Sequence, residues 1–221
     1  MSQVLLRFTD VGLHPAGADG PTLEHLSFDL AEGDALILTG PPACGKSAAL
    51  DLACGVRGAT SGHVERLATN IGWLPQTGAL VSNLTLWDNV ALPLRWHRAA
   101  TNQEVQRAIT DLCEVMECDP PPRIPAAAAL TEHRAVAAVA RALILRPPLL
   151  IADDPGGELG TDGRDDLWRM LWRVQASWGT AILAATTDPG PAQALTDRRL
   201  DLPGRRTMAF RLWRGAWAGQ P

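Results

Sequence analysis

An α/β fold built on a largely parallel sheet is the class this sequence predicts, and three observations predict it. First, Gly40-Pro41-Pro42-Ala43-Cys44-Gly45-Lys46-Ser47 satisfies the pattern G-x-x-x-x-G-K-[ST], with a short apolar run (Asp34–Thr39) before it and a helical start (Ala48–Ala53) after it. Second, Leu149-Leu150-Ile151-Ala152 and Thr180–Ala185 are continuous apolar runs, as strands covered on both faces require. Third, helical patterns at Thr101–Met116, Arg134–Leu143 and Asp165–Ser177 alternate with these strands, the order expected of crossover helices.

Taken in chain order, Val4–Phe8 and Leu26–Leu30 alternate apolar and polar residues, as half-buried strands do, around a turn-rich His14–Pro21 loop. The helix after the glycine-rich loop ends near Gly55, and Asn70-Ile71-Gly72 is β-like, leading into Trp73-Leu74-Pro75-Gln76. Cys118–Pro125 is a proline-dense connector. Thr131 is placed to cap the next helix, which Pro147 and Pro148 stop. The strand at Leu149–Ala152 delivers Asp153 and Asp154 to its carboxyl end, Trp168 and Trp172 sit on the following helix, and Phe210–Trp213 reads as a last edge strand. No internal repeat is present.

The 221 residues suit one domain, and 46% hydrophobic with 20% charged residues is ordinary globular composition. A net charge of −4 gives no global reason to bind nucleic acid or an anionic lipid surface. No apolar run approaches the ~18 residues that cross a bilayer. The first residues lack the basic start and apolar core of a signal peptide, so a cytosolic location is expected. Cys44, Cys54, Cys113 and Cys118 lack C-x-x-C spacing and are expected to be reduced, and the histidines lack metal-site spacing.

The Gly40–Ser47 loop carries the chemistry. Its successive backbone N–H groups can form an anion-binding nest, and the N-terminus of the helix that starts at Ala48 adds its positive end. Lys46 can reach the outer phosphates of a nucleotide, and the Ser47 hydroxyl can ligate Mg²⁺. Of 20 basic residues Lys46 is the only lysine. Arginine's planar fork does not replace a compact ammonium at such a loop. Nucleotide binding is therefore the expected function.

The order of pieces, from the phosphate loop through Leu74-Pro75-Gln76 and Ala140-Arg141-Ala142-Leu143 to Leu149–Pro155, resembles an ATP-binding cassette (ABC) nucleotide-binding domain over nearly the whole chain. Within that family, Gln76–Val81 and Leu84–Leu94 are similar to the ATPase subunit of Mla-type (MCE-linked) phospholipid transporters. The resemblance implies a P-loop NTPase (RecA-like) core with an antiparallel β edge and a helical lobe. It implies one ABC domain over residues 1–221, with a core lobe at about 1–78 and 145–221 and a helical lobe at about 79–144. It implies ATP and Mg²⁺ as cofactors, held by Gly40, Pro41, Pro42, Ala43, Cys44, Gly45, Lys46, Ser47, Ala48, Gln76 and Asp153, with Ser47, Gln76 and Asp153 on the metal. Gln76 would be the Q-loop glutamine and Asp153 the Walker B aspartate. An integral membrane permease would dock on the Gln76–Leu94 region, with Trp87 either exposed there or a core tryptophan of the helical lobe, and a second ABC subunit would complete the site. The location implied is cytoplasmic, peripheral on the inner face of the plasma membrane, with no nucleic acid as partner.

Several positions depart from the family pattern. Where the partner-facing LSGGQ segment belongs, the chain has Leu130-Thr131-Glu132-His133-Arg134, which lacks the glycines that allow close backbone approach to phosphate. Asp154 stands at the catalytic glutamate position and Thr187 at the switch histidine position; the usual Leu-Asp is Leu159-Gly160. Ala43 replaces a glycine common in the loop, a mild change if its φ is negative. No tyrosine exists to stack on adenine, leaving His14 as a substitute or a plain loop residue. Three readings stay open: an ATP-binding transporter subunit with weak or absent hydrolysis, a fully active transport ATPase of the same type, and a soluble nucleotide-dependent regulator.

Overall fold

Three short strands, β3 (Ala35–Thr39), β6 (Leu149–Asp153) and β7 (Ala181–Ala185), are apolar almost throughout, and their burial forces them to the centre of a sheet with layers on both faces. The computed structural model describes residues 2–17, 20–196 and 198–203, and the edge strand expected at Phe210–Trp213 lies outside them. With β5 (Ile71–Leu74) and β8 (Arg199–Asp201) these strands form a five-stranded parallel sheet in the order β5-β6-β7-β3-β8. The period-two geometry of the strands divides their side chains between two cores. Ile37, Leu150, Ala152, Ile182 and Ala184 pack against the helices α2 (Leu86–Arg98), α3 (Asn102–Met116), α4 (Thr131–Leu143) and α5 (Thr161–Trp178). Leu36, Leu38, Ile151 and Leu183 face the helix α1 (Lys46–Cys54) and a second sheet.

That second sheet is antiparallel, in the order β2 (Leu23–Ala31), β1 (Val4–Leu13), β4 (Ser61–Arg66). The alternation along Val4–Phe8 and Leu26–Leu30 brings Phe8 onto Phe28 as a stacked pair, with ring centroids 4.5 Å apart. The fold class expected from the sequence is the one observed, a parallel core with an antiparallel sheet and helices. β4 has no apolar signal because none of its six residues is buried; strand pairing with β1 alone makes it a strand.

Local chemistry sets most element boundaries. α1 stops at Gly55, whose φ of 79° supplies the left-handed cap. Thr101 caps α3 in a reciprocal capping box with Glu104. The expected cap at Thr131 is a correction. Thr131 is the first residue of α4, Leu130 is the N-cap, and the Thr131 hydroxyl takes a hydrogen bond from Arg134 instead. α5 begins ahead of Asp165, at Thr161, because Gly160 supplies the extended entry and the first turn needs no apolar residue. Among the described residues no helix is long and apolar enough to cross a membrane.

Candidate nucleotide-binding site

In a parallel sheet all strands end on one edge, and in open α/β sheets ligands bind outside those carboxyl ends. Here β3 runs into Gly40, β6 into Asp153-Asp154, β7 into Thr186-Thr187 and β5 into Pro75-Gln76. The fold thus gathers residues far apart in the chain along one edge.

The loop from Gly40 to Ser47 has the backbone that a phosphate cradle needs. Gly40 and Gly45 have φ of 136° and 105°, in the left-handed half of conformational space that favours glycine. A Cβ at Gly40 would lie 2.5 Å from the Leu202 carbonyl oxygen, and one at Gly45 2.7 Å from that of Thr22. Ala43 has φ of 62°, which corrects the expectation that its replacement of glycine is mild; a Cβ in that region costs about 1 kcal/mol. Lys46 is buried, and its ammonium donates to the carbonyls of Gly40 at 2.7 Å and Pro41 at 3.0 Å. The lone lysine is thereby held across the mouth of its own loop.

Asp153 is the link between this loop and the next strand. Ser47 and Lys46 both lie near enough to its carboxylate to favour the charged form. Burial nevertheless dominates and pushes the Asp153 carboxyl above its ordinary value, helped by the charges of Asp154 and Asp51. A half-buried carboxylate, a hydroxyl and a buried lysine are a set that a divalent cation and an anionic ligand would stabilise together.

Asp154 is held differently. Its φ is 47°, its N–H donates to the Ala185 carbonyl at 2.8 Å, and its Oδ1 accepts from the buried Thr186 hydroxyl at 3.0 Å. Its other oxygen, Oδ2, lies 2.2 Å from where a Cβ of Gly157 would be. The carboxylate is therefore folded onto its own turn, in a space that only glycine at 157 leaves open. Thr187 is exposed just beyond β7.

A cleft of about 200 Å³ adjoins Asp153, lined by Gln76, Leu80, Arg134, Ala138, Asp153 and Asp154 among others. Gln76 is an exposed residue of the turn after β5, and the turn is pinned from α4. Arg141 donates to the carbonyls of Gly78 at 2.6 Å and Ala79 at 2.7 Å. Burial lowers the Arg141 pKa from its ordinary value. Glu132 lies exposed in the first turn of α4, beside the N-cap Leu130.

Trp87, weighed as an exposed interface residue or a core tryptophan, is the latter: it is 5% exposed and packs in the helical core, with the Arg123 guanidinium 4.4 Å from its ring. The apolar spacing of α2 explains this: Leu86, Trp87, Val90, Ala91 and Leu94 share its buried face. The exposed aromatic of this helix is Trp96, 80% exposed, one turn after Leu92. His14, weighed as an adenine-stacking residue, lies exposed after β1 with its N–H on the Thr60 hydroxyl. Sequence reasoning missed Asn89, Arg141, Thr186 and Gly157. Only Asn89, a polar residue in the middle of an apolar helix face, carried a signal that could have found it.

A phosphate loop between a central parallel strand and a helix, with an aspartate at the end of a neighbouring strand, defines a nucleotide-binding α/β protein. Residues 23–157 match the ABC transporter family, and the chain belongs to it. It is 30% identical over 191 residues to the sulfate/thiosulfate import ATP-binding protein CysA 2 of Rhizobium meliloti, covering 80% of this chain and 52% of that protein. It is 29% identical to the molybdate/tungstate import ATP-binding protein WtpC of Pyrococcus horikoshii, covering 80% of this chain and 54% of that one. The chain spans about half the length of the curated relatives it matches. Among solved structures, the dimeric bacterial ABC transporter cassette MJ0796 superposes with a TM-score of 0.80 at 22% identity, covering 90% of this chain and 94% of that one. That likeness is one of fold.

Proposed function

We propose that this chain is the ATP-binding subunit of an ABC transporter, binding Mg-ATP at Gly40–Ser47 and hydrolysing it weakly. The observation that carries the binding reading is the loop itself: two glycines in conformations that a Cβ would block, a buried lysine across the mouth, and Ser47 close to Asp153. Lys46 would exchange its two carbonyl partners for phosphate oxygens, the loop N–H groups would orient the phosphates, and Ser47, Asp153 and Gln76 would hold the cation. Mg-ATP would supply a transferable phosphoryl group and a conformational signal. In the same reading the fold divides into a core lobe (1–78 and 145–221) and a helical lobe (79–144).

Weak hydrolysis is supported by the position of Asp154. A water-positioning base must point at the attacking water, and an error of about 1 Å can cost on the order of 10²-fold. Asp154 is instead drawn toward Thr186 and packed over Gly157. Thr187 cannot carry a positive charge, and Glu132 puts a carboxylate where this chain's own signature segment would face the phosphate held by a second cassette. A membrane permease is the expected partner of the Gln76–Leu94 region, with Leu92 and Trp96 as the exposed apolar pair of α2. Such a subunit would lie on the cytoplasmic face of its membrane. A lipid cargo rests only on the likeness of Gln76–Leu94 to Mla-type subunits. The relatives are named for import of sulfate, molybdate or tungstate, and Fe(3+), and they favour an importer of small inorganic ions as the second reading of cargo.

Calorimetric titration with Mg-ATP tests the binding reading. The wild-type chain is expected to bind, and Lys46→Ala to weaken binding by roughly 10- to 100-fold, the loss of a charged hydrogen-bonding group of about 1.5–3 kcal/mol. A wild type that fails to bind overturns the proposal. Steady-state phosphate release tests the hydrolysis reading. Turnover below about 1 s⁻¹ is expected, rising when Asp154→Glu and Thr187→His are combined, whereas wild-type turnover in the usual enzyme range, about 10 s⁻¹, favours the fully active transport ATPase.

A further inference from the structure

Cys113 and Cys118 lie in no part of the nucleotide site, yet the end of α3 brings them together. Glu117 takes the left-handed conformation, with φ of 54°. The Glu117 N–H donates to the Glu114 carbonyl at 3.3 Å, and the Cys118 N–H donates back to the Cys113 carbonyl at 3.0 Å. This pair of bonds is the Schellman motif, in which the first residue past the left-handed position packs its side chain on the helix residue that it closes onto. Here both of those residues are cysteine. Adding the covalent lengths to the 3.0 Å hydrogen bond places the two Cα atoms no more than about 7 Å apart, the outer reach of a disulfide.

The two thiols differ in the way an oxidisable pair requires. Cys113 is 4% exposed, while Cys118 is partly exposed, and both line one surface depression with Thr110, Glu114 and Met170. The Cys113 thiol donates to the Asp119 carbonyl at 3.9 Å, and the closeness of the two sulfurs raises the pKa of Cys113 and lowers that of Cys118. Burial pushes the Cys54 thiol up to about 12, so that sulfur stays protonated and inert, and Cys44 is buried inside the phosphate loop.

We propose that Cys113 and Cys118 form a site of thiol oxidation, in which a hydroperoxide converts the C-terminal cap of α3 into an intramolecular disulfide. The Cys118 thiolate attacks one peroxide oxygen, the O–O bond breaks, and the departing hydroxide takes a proton and leaves as water. Cys118 is then a sulfenic acid. Cys113 gives up its proton, its sulfur attacks that of Cys118, the S–O bond breaks, and a second water leaves. Two thiols lose two electrons, and hydrogen peroxide is reduced to two waters.

The test is treatment of the full chain with hydrogen peroxide, denaturing alkylation of the remaining thiols, and tryptic mass mapping. Cleavage after Arg107 and Arg123 leaves both cysteines in one peptide, residues 108–123. The expected result is that most of this peptide becomes lighter by two hydrogens and escapes alkylation, while Cys44 and Cys54 remain fully alkylated. Cys113→Ser is expected to leave Cys118 as a sulfenic acid that a dimedone probe traps, and Cys118→Ser to leave Cys113 alkylated. The proposal is overturned if the wild-type peptide stays fully alkylated at peroxide levels that oxidise free cysteine. It is overturned equally if Cys118 goes to sulfinic or sulfonic acid with Cys113 untouched, or if either sulfur pairs with Cys44 or Cys54.

Discussion

Asp153, proposed to hold the cation, carries a charge that the unliganded fold does not favour. Its folded carboxyl titrates above its ordinary value of 3.8, chiefly through burial and then through Asp154 and Asp51, against the opposing Ser47 hydroxyl and Lys46. A raised value means that folding favours the protonated form. The stabilising contribution is fully present below the unfolded value and is lost as pH rises through the raised folded one. Asp153→Asn should therefore raise the melting temperature of the nucleotide-free chain near neutral pH. The gap between the variant and the wild type should close as the pH falls into the carboxylate range, while Mg-ATP binding weakens. Thermal melts across pH check this, and a variant less stable than wild type at neutral pH would sink it. Ala43 is a second residue of this kind, a left-handed non-glycine in the loop proposed to hold phosphate, and functional sites often keep such strain.

Among the elements, α2 departs most from what local propensity predicts. Pro93 sits inside it, where a proline costs roughly 3 kcal/mol. The helix persists because Leu86, Trp87, Val90, Ala91 and Leu94 are buried on one face and because Asn89 anchors its start. Asn89 is fully buried. Its side-chain oxygen accepts from the Val81 N–H at 2.7 Å, and its amide donates to the carbonyls of Val81 and Thr85, each at 3.0 Å. One side chain thus replaces the backbone partners of the segment that links Gln76 to the helix. Removing it leaves several polar groups unpaired. Asn89→Ala should cost about 2–3 kcal/mol, read as a lower urea midpoint with unchanged slope. A loss within ~0.5 kcal/mol would show that water satisfies those groups.

At the scale of the whole molecule, the proposed division into lobes is not a division of the hydrophobic core. Ile37, Leu150 and Ile182 of the central sheet share one cluster with Val90 of α2, Ile109 of α3, Val139 of α4 and Trp168 of α5. The described chain should therefore unfold as one cooperative unit, with calorimetric and van't Hoff enthalpies in agreement; two resolved transitions would contradict this. The same continuity explains what was legible in advance. The central strands are read from their apolar runs because burial on both faces demands them. β4 is not read, since its residues are exposed or half-buried and only its pairing with β1 makes it a strand.

The sequence by itself determined the phosphate loop, its lone lysine, the Asp153-Asp154 pair and the parallel α/β class. Each of these depends on chemistry within a few residues: a glycine for a turn, a hydroxyl for a cation, an apolar run for a covered strand. Only the tertiary structure decided that Ala43 is left-handed, that Trp87 is buried and Trp96 exposed, that Thr186 and Gly157 hold Asp154 aside, and that Arg141 pins the turn after Gln76. The physical reason is that these are contacts between segments separated by many residues, and their geometry exists only once the strands have set their register and the helices have packed across them.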